Sequence, residues 1–504
     1  MSKPRASAAP NSTKDISMER RPNIVIFNPD HFRYNGVHHL GNAAAVTPNL
    51  DRLAEEDGVS FRYAFCQNTV CTPSRCSFMS GWYPHVRGHR TMFHMMHEDE
   101  PVLLKTLKDH GYYVWWGGKN DLIPGQASFE PYCHVKHEPG SAVRKRWGRA
   151  EESRGRPGDD TYYSFYHGRI DKGEAEVYYD SDWDNVTSAI DVIRNHQGEE
   201  PLCIYLPLTY PHQPYAVEEP WYSIVDRDAL SPRIPTPESW RSLPSMLKWI
   251  YDRQGLQGWT EERWNELRAT YYGMCSRIDH QLGLVLTALR EAGIYDETAV
   301  FFFSDHGEFA GDYGLVDMTQ NTFQDSLTHV PLVIKPPAWV QAKPRVSDAL
   351  VELIDFPATV EALTGIQPGH THFGRSLLPV LSGETDEHRD AVFAEGGRLH
   401  GETHCMELES PQDKTSPYWP RLSAQRSEGP EHTKATMIRT KEHKYVRRLY
   451  ETDVLYDLAD DPMELVNRID DPSRATVLAD LRERMLTFFL ETGDVVPHQT
   501  DRRF

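Results

Sequence analysis

The sequence predicts an α/β fold: a large, mostly parallel sheet sandwiched by helices, followed by a small C-terminal antiparallel-sheet subdomain. Three observations carry this. Apolar runs of strand length alternate with helical patterns through the first two-thirds of the 504 residues, and that alternation implies parallel strands joined by crossover helices. Residues able to do chemistry recur just after the strand-like runs, where open sheets of this type bind ligands. After Leu381-Ser-Gly-Glu-Thr-Asp386 the composition changes to short strand-like segments and one final helix.

Taken in order, Ile24–Phe27 reads as the first strand and leads to Asp30; Pro48–Glu56 is helical. Val59-Ser-Phe-Arg-Tyr-Ala-Phe65 has the alternation of a strand, and Pro73 suits the first turn of the helix beyond it, where a missing N–H does no harm. Val102–His110 is a helix and Tyr112–Trp116 a strand. Leu202–Leu208, Ala299–Phe303 and Leu332–Lys335 extend the sheet, with a long helix over Glu262–Ala292. Thr436–Arg448 and Val454–Leu458 suggest antiparallel strands, and Pro472–Thr492 the last helix. The domain expectation is a disordered tail over 1–21, a catalytic domain over 22–385 and a subdomain over 386–504. Three stretches interrupt the alternation: 124–180, with the basic run Arg144-Lys-Arg-Trp-Gly-Arg149; 213–260, rich in Pro and Trp; and 395–433, with His400, His404 and Tyr418-Trp419-Pro420. Long loops in compact domains are often functional, so these are candidates to wall a pocket.

Composition narrows the partners. Lys plus Arg at 54 against Asp plus Glu at 74 gives a net charge of -20, which opposes nucleic acid and anionic membranes as partners. The first 21 residues are polar without an apolar signal core, and no apolar run reaches membrane length. Seven cysteines (66, 71, 76, 133, 203, 275, 405) are odd in number and lack framework spacing, so free thiols and a cytoplasmic location are expected.

The most specific string is Cys71-Thr-Pro-Ser-Arg75. Cys71 falls at a helix N-terminus, where N–H groups and the macrodipole favour an anion. Arg75, four residues on, shares its helix face and can fork onto the same anion. Collinear with it are Asn23-Ile-Val-Ile-Phe27 then Asp30, Thr47-Pro-Asn-Leu-Asp-Arg-Leu53, Gly81-Trp-Tyr-Pro84, Gly118-Lys119, Pro211-His212, Phe303-Ser-Asp305-His306-Gly307, His329-Val-Pro-Leu332 and Leu455-Tyr-Asp-Leu458. Together these resemble the type I sulfatase family of the alkaline phosphatase superfamily, from about residue 22 to the last fifty residues.

The resemblance implies an alkaline phosphatase-like fold whose small subdomain has four strands and a helix. It implies that a formylglycine-generating enzyme oxidises Cys71 to formylglycine, whose hydrate attacks the sulfur of a carbohydrate or aryl sulfate ester. Asp30, His31, Asp305 and His306 map to the metal site. Ca²⁺ is the family's usual ion, and two nitrogen ligands would soften the site towards Mn²⁺ or Zn²⁺. Arg75 should brace the nucleophile, Lys119 bind the sulfate, and His212 contact and protonate the leaving oxygen. Two departures stand out. Asp121 replaces a histidine expected two residues after Lys119, and is a candidate base for expelling sulfate. Met318 lies near the register of an expected lysine, so a positive charge is missing or supplied by an insertion. A phosphonate monoester or phosphodiester hydrolase on the same scaffold is the alternative, and a catalytically silent binding homologue a third reading. A homo-oligomer is compatible with the sequence.

Overall fold

The computed structural model describes residues 21–503 apart from 142, 145–152, 409 and 412. The expected N-terminal tail, but for Arg21, and the basic residues 145–149 therefore lie outside the described residues. The strands in chain order are β1 (Asn23–Asp30), β2 (Val59–Phe65), β3 (Tyr113–Gly117), β4 (Val135–His137), β5 (Tyr166–Ile170), β6 (Leu202–Pro211), β7 (Tyr215–Glu218), β8 (Thr298–Phe303), β9 (His329–Val330), β10 (Leu332–Lys335), β11 (Arg345–Glu352), β12 (Val392–Gly396), β13 (Ala435–Arg439), β14 (His443–Arg448) and β15 (Val454–Asp457).

The main sheet runs β11-β2-β10-β8-β1-β6-β3-β4, with β9 added against β2. Its centre is parallel: β1 pairs in parallel with β6 and β8, and β3 with β6 and β4, while β10 and β9 are antiparallel insertions. Period-2 alternation splits β1 between two cores. Val25 and Phe27 face the cluster that holds helices Ser181–Asn195 and Glu261–Glu291, and Ile24 and Ile26 face the cluster of helices Cys71–Ser80, Leu103–Asp109 and Asp355–Thr364.

β11 was not expected, because Ser347 and Asp348 interrupt its apolar pattern; a register shift after Ser347 lets it still pair with β2. Strands β4, β5 and β7 and helix Ser245–Gln254 lie inside the first two interrupting stretches, which are therefore partly structured. The antiparallel sheet β12-β13-β14-β15 matches the expected subdomain, and helix Ala475–Thr492 covers it through Leu481 and Met485. The third stretch joins β12 to β13 and folds back onto the main sheet. Glu395 N–H donates to the Gln67 carbonyl at 2.9 Å, and Asn68 Nδ2 donates to the Glu395 carbonyl at 2.6 Å, just before the Cys71 helix. No helix among the described residues is long and apolar enough to cross a membrane.

Candidate active site

The carboxyl ends of four adjacent parallel strands deliver most of the site. β8 leads to Asp305 and His306, β1 ends on Asp30 and turns at His31, β6 leads to His212, and β3 leads to Lys119. Cys71 enters from β2 as the first residue of helix Cys71–Ser80. Its Sγ lies 3.3 Å from His306 Nε2, 3.5 Å from Asp30 Oδ1 and 3.5 Å from Lys119 Nζ. Cys71, Asp30, His306 and Lys119, four of the residues expected from sequence, thus fall in one cluster.

Local backbone chemistry explains the placement. Gly118 has φ of +123°, and a Cβ there would sit 2.3 Å from the Pro207 carbonyl oxygen, so glycine alone allows the turn that brings Lys119 back over the sheet. Lys119 N–H then donates to that carbonyl at 2.8 Å. His31 occupies the left-handed region at φ 62°, which a non-glycine residue adopts only where its surroundings impose it. Tyr271 imposes it: its hydroxyl donates to the His31 carbonyl at 2.7 Å and accepts from Arg33 N–H at 2.9 Å.

The donors present fit a divalent ion. Asp30, His31, Cys71 and His306 are fully buried and each offers a ligand atom, all within 4.8 Å of one another. His31 Nε2 is buried without a hydrogen-bond partner, and an orphan of that kind is what a metal ligand looks like before metal. His306 Nδ1 donates to the Gly307 carbonyl at 2.9 Å, leaving Nε2 to face Cys71 and Asp30. Asp305 adjoins this group through His306 and the Asp30 carboxylate. Its Oδ2 accepts from Arg75 Nε at 3.0 Å and lies 2.8 Å from Nη2 as an ion pair, and its Oδ1 accepts from His306 N–H.

Lys119 Nζ bridges Asp30 Oδ2 at 2.5 Å and Asp121 Oδ2 at 2.7 Å, so Asp121 anchors the lysine. His212 gives its Nδ1 proton to the Gln213 carbonyl at 2.7 Å, and its ring lies 4.2 Å from that of His31. Burial opposes ionisation of Asp30, but Lys119, His31, His212 and Arg75 outweigh it and hold the carboxyl well below its usual range. Burial followed by the Asp30 charge pushes the Cys71 thiol well up, so the unmodified side chain is a neutral thiol near pH 7. Burial with His306 lowers His31, and burial with His31 lowers His212. The Lys119 ammonium is also desolvated, yet Asp121 and Asp30 raise it well above its ordinary value.

Several contributors were not singled out from sequence. Glu308, in the run Asp305-His306-Gly307-Glu308, is buried, lies at hydrogen-bond distance (2.8 Å) from His31 Nδ1 and is pushed up to about 7 by burial. Its place three residues beyond Asp305 was the available signal. Asp317, beside Met318, accepts from Gln213 Nε2 at 2.7 Å and from Arg421 Nε at 3.2 Å. Arg421 also pairs with Glu407, so the stretch 395–433 brings a cation beside Asp317, the neighbour of Met318, already neutralised by two carboxylates. The same stretch presents Tyr418, its ring 5.5 Å from the Arg421 guanidinium and 5.2 Å from Phe165. Burial and Asp317 push the Tyr418 phenol up against the pull of Arg421 and Lys119, which places it in the field of the site.

Parallel-strand ends that gather a buried cysteine, a carboxylate, imidazoles and a lysine define a class: a hydrolytic enzyme of alkaline phosphatase-like fold acting on anionic esters. Residues 22–366 match the Sulfatase family, and the chain belongs to that family. Among curated relatives, arylsulfatase K of Gallus gallus is 27% identical over 489 residues, covering 91% of this chain and 81% of the relative. Arylsulfatase K of Homo sapiens is 26% identical over 472 residues, 89% of this chain and 79% of that one. Among solved structures, a phosphonate monoester hydrolase of Agrobacterium radiobacter superposes with TM-score 0.74 at 22% identity, covering 95% of this chain and all of that one. A 2-O GAG sulfatase superposes with TM-score 0.70 at 20% identity, covering 94% and 93%. At these identities the structural likeness speaks for the fold.

Proposed function

We propose that the protein hydrolyses sulfate monoesters, using a formylglycine formed from Cys71 and a divalent ion held by Asp30, His31 and His306 with Asp305 beside them. The convergence of Asp30, His306 and Lys119 on the Cys71 sulfur carries this reading. A formylglycine-generating enzyme is then a required partner. The hydrated aldehyde supplies two hydroxyls on one carbon, one to attack sulfur and one to release sulfate. A bound ion would favour ionisation of the attacking hydroxyl and offset charge on the sulfuryl oxygens. Two imidazole donors support Mn²⁺ or Zn²⁺ over the Ca²⁺ that the resemblance suggests.

The chain's own residues do the rest. Lys119, held between Asp30 and Asp121, binds the anion, and Arg75 ties the nucleophile helix to Asp305. His212 protonates the leaving oxygen: an entering anion opposes the burial that keeps it neutral. Tyr418, in the field of Cys71 and Lys119 and packed against Phe165, is the aromatic surface we assign to a ring on the leaving group. Seven unpaired, buried cysteines support a cytoplasmic setting.

The charge balance favours a second reading too. The cations of the site, Lys119, Arg75 and Arg421, are each paired to carboxylates. Such a site suits a singly charged ester, which a phosphonate monoester is as well as a sulfate monoester. Rates of the purified enzyme on an aryl sulfate and on the matching aryl phosphonate monoester separate the two. Mass spectrometry of peptide 63–75 should show formylglycine at position 71, and an exclusively cysteine-containing peptide in active enzyme would sink the proposed nucleophile.

A further inference from the structure

Three imidazoles meet at this site, and two of them are oriented by main chain: His306 Nδ1 donates to the Gly307 carbonyl and His212 Nδ1 to the Gln213 carbonyl. His31 is different. Its Nδ1 lies 2.8 Å from a carboxylate oxygen, Glu308 Oε2, and neither side chain is exposed to solvent. Glu308 makes no ion pair with lysine or arginine among the described residues; its other oxygen accepts Ala310 N–H at 3.2 Å, and the Tyr215 hydroxyl also hydrogen-bonds its carboxyl. A buried carboxylate without a cationic partner is an expensive feature to keep for packing alone. On the far side of the same ring, Nε2 has no hydrogen-bond partner and lies 3.8 Å from Asp30 Oδ1.

We propose that Glu308 is a positioning residue for the metal: it holds the Nδ1 proton of His31, so that Nε2 turns its lone pair to the ion shared with Asp30 and His306. A carboxylate in this position fixes the tautomer, locks the ring and makes the imidazole a stronger donor. The Tyr271 hydroxyl pins the left-handed backbone of His31 from the other side, so ring and main chain are both fixed before metal arrives. The same brace explains why a histidine serves at position 31: backbone, ring orientation and tautomer are each set by a buried partner more than 200 residues away.

This inference rests on the metal-dependent reading above, and its test separates the two. Mn²⁺ dissociation constants are measured on the full-length enzyme by chelator competition for wild type, Glu308→Gln and His31→Ala, together with the thermal midpoint of each apoprotein. The amide introduced by Glu308→Gln can donate to Nδ1 and reverse the tautomer, turning an N–H toward the ion. Expected is a loss of Mn²⁺ affinity of roughly 10–100-fold, with the apoprotein midpoint unchanged or higher, because the isosteric amide keeps the packing. A purely structural role predicts the opposite pattern, a lower apoprotein midpoint with unchanged affinity, and overturns the proposal. Unchanged affinity in Glu308→Gln alongside a loss in His31→Ala rejects the role of Glu308 but leaves the metal site standing; a wild type without stoichiometric ion defeats both. Should Glu308→Gln not fold, ¹⁵N shifts of the wild-type apoprotein decide: His31 must be protonated on Nδ1, and an Nε2–H tautomer refutes the proposal.

Discussion

Cys71 and Cys76 share one helix but face opposite environments. The Cys71 sulfur lies 3.3 Å from His306 Nε2, while Cys76 belongs to the apolar cluster with Phe78, Leu104 and Phe303. Five residues of α-helix turn the chain through roughly 140° beyond one full turn, which separates a reactive face from a packed one. Cys71→Ala should abolish turnover with the thermal midpoint preserved. Cys76→Ala should keep most activity and lose about 1 kcal/mol of stability. Equal loss of activity in both would contradict the assignment.

Asp30 and Asp305 have separable duties. Asp30 belongs to the group of close ligand atoms, whereas Asp305 is engaged by Arg75. Asp30→Asn should therefore remove bound metal and activity together. Asp305→Asn should also remove activity, with some metal retained, because it releases the arginine that braces the nucleophile helix. Elemental analysis of both variants checks this, and stoichiometric metal in Asp30→Asn would refute it.

His212 makes a graded demand on the leaving group. If it protonates the departing oxygen, His212→Ala should slow a sugar sulfate by ~10²–10⁴-fold and an activated nitrophenyl sulfate far less. The rate of the variant should depend more steeply on leaving-group pKa than that of wild type. A parallel drop for both esters would show that His212 binds the anion instead.

Tyr418 tests the leaving-group wall. Aromatic contacts contribute about 0.5–1.5 kcal/mol, so Tyr418→Ala should raise KM for ring-bearing sulfates by roughly 2–10-fold with little change for a small alkyl sulfate. An equal effect on both substrates would place the ring away from the leaving group.

Acid stability should depend on Asp355, at the start of the helix that packs Phe356 near Phe78 of the nucleophile helix. Burial opposes its ionisation, but Arg389 and His388 outweigh that and hold its pKa well below the usual value. A depressed folded-state value means stabilisation that is fully present above the unfolded pKa of about 3.9 and lost as pH falls through the folded one. Asp355→Asn should flatten the acid limb of the stability curve. At neutral pH it should lose about 3–5 kcal/mol, since Arg389 loses one of its two carboxylates and keeps Glu352, at 2.9 Å, and the Phe373 carbonyl, at 3.0 Å. An unchanged acid limb in denaturant titrations would refute this account.

The amino-acid sequence by itself determined the alternation of strands and helices, the Cys71–Arg75 turn and the strand-end positions of Asp30, Lys119, His212 and Asp305. Those features rest on local periodicity, turn chemistry and short motifs, all readable within a few residues. Only the packed fold brings Glu308 to His31 across 277 residues and Arg421 to Asp317 across 104. It also decided that β11 pairs despite Ser347 and Asp348, and that Arg75 engages Asp305 across 230 residues. Such pairings exist only once burial strips water from groups distant in sequence, and each then bonds to whichever partner the packed sheet brings within reach.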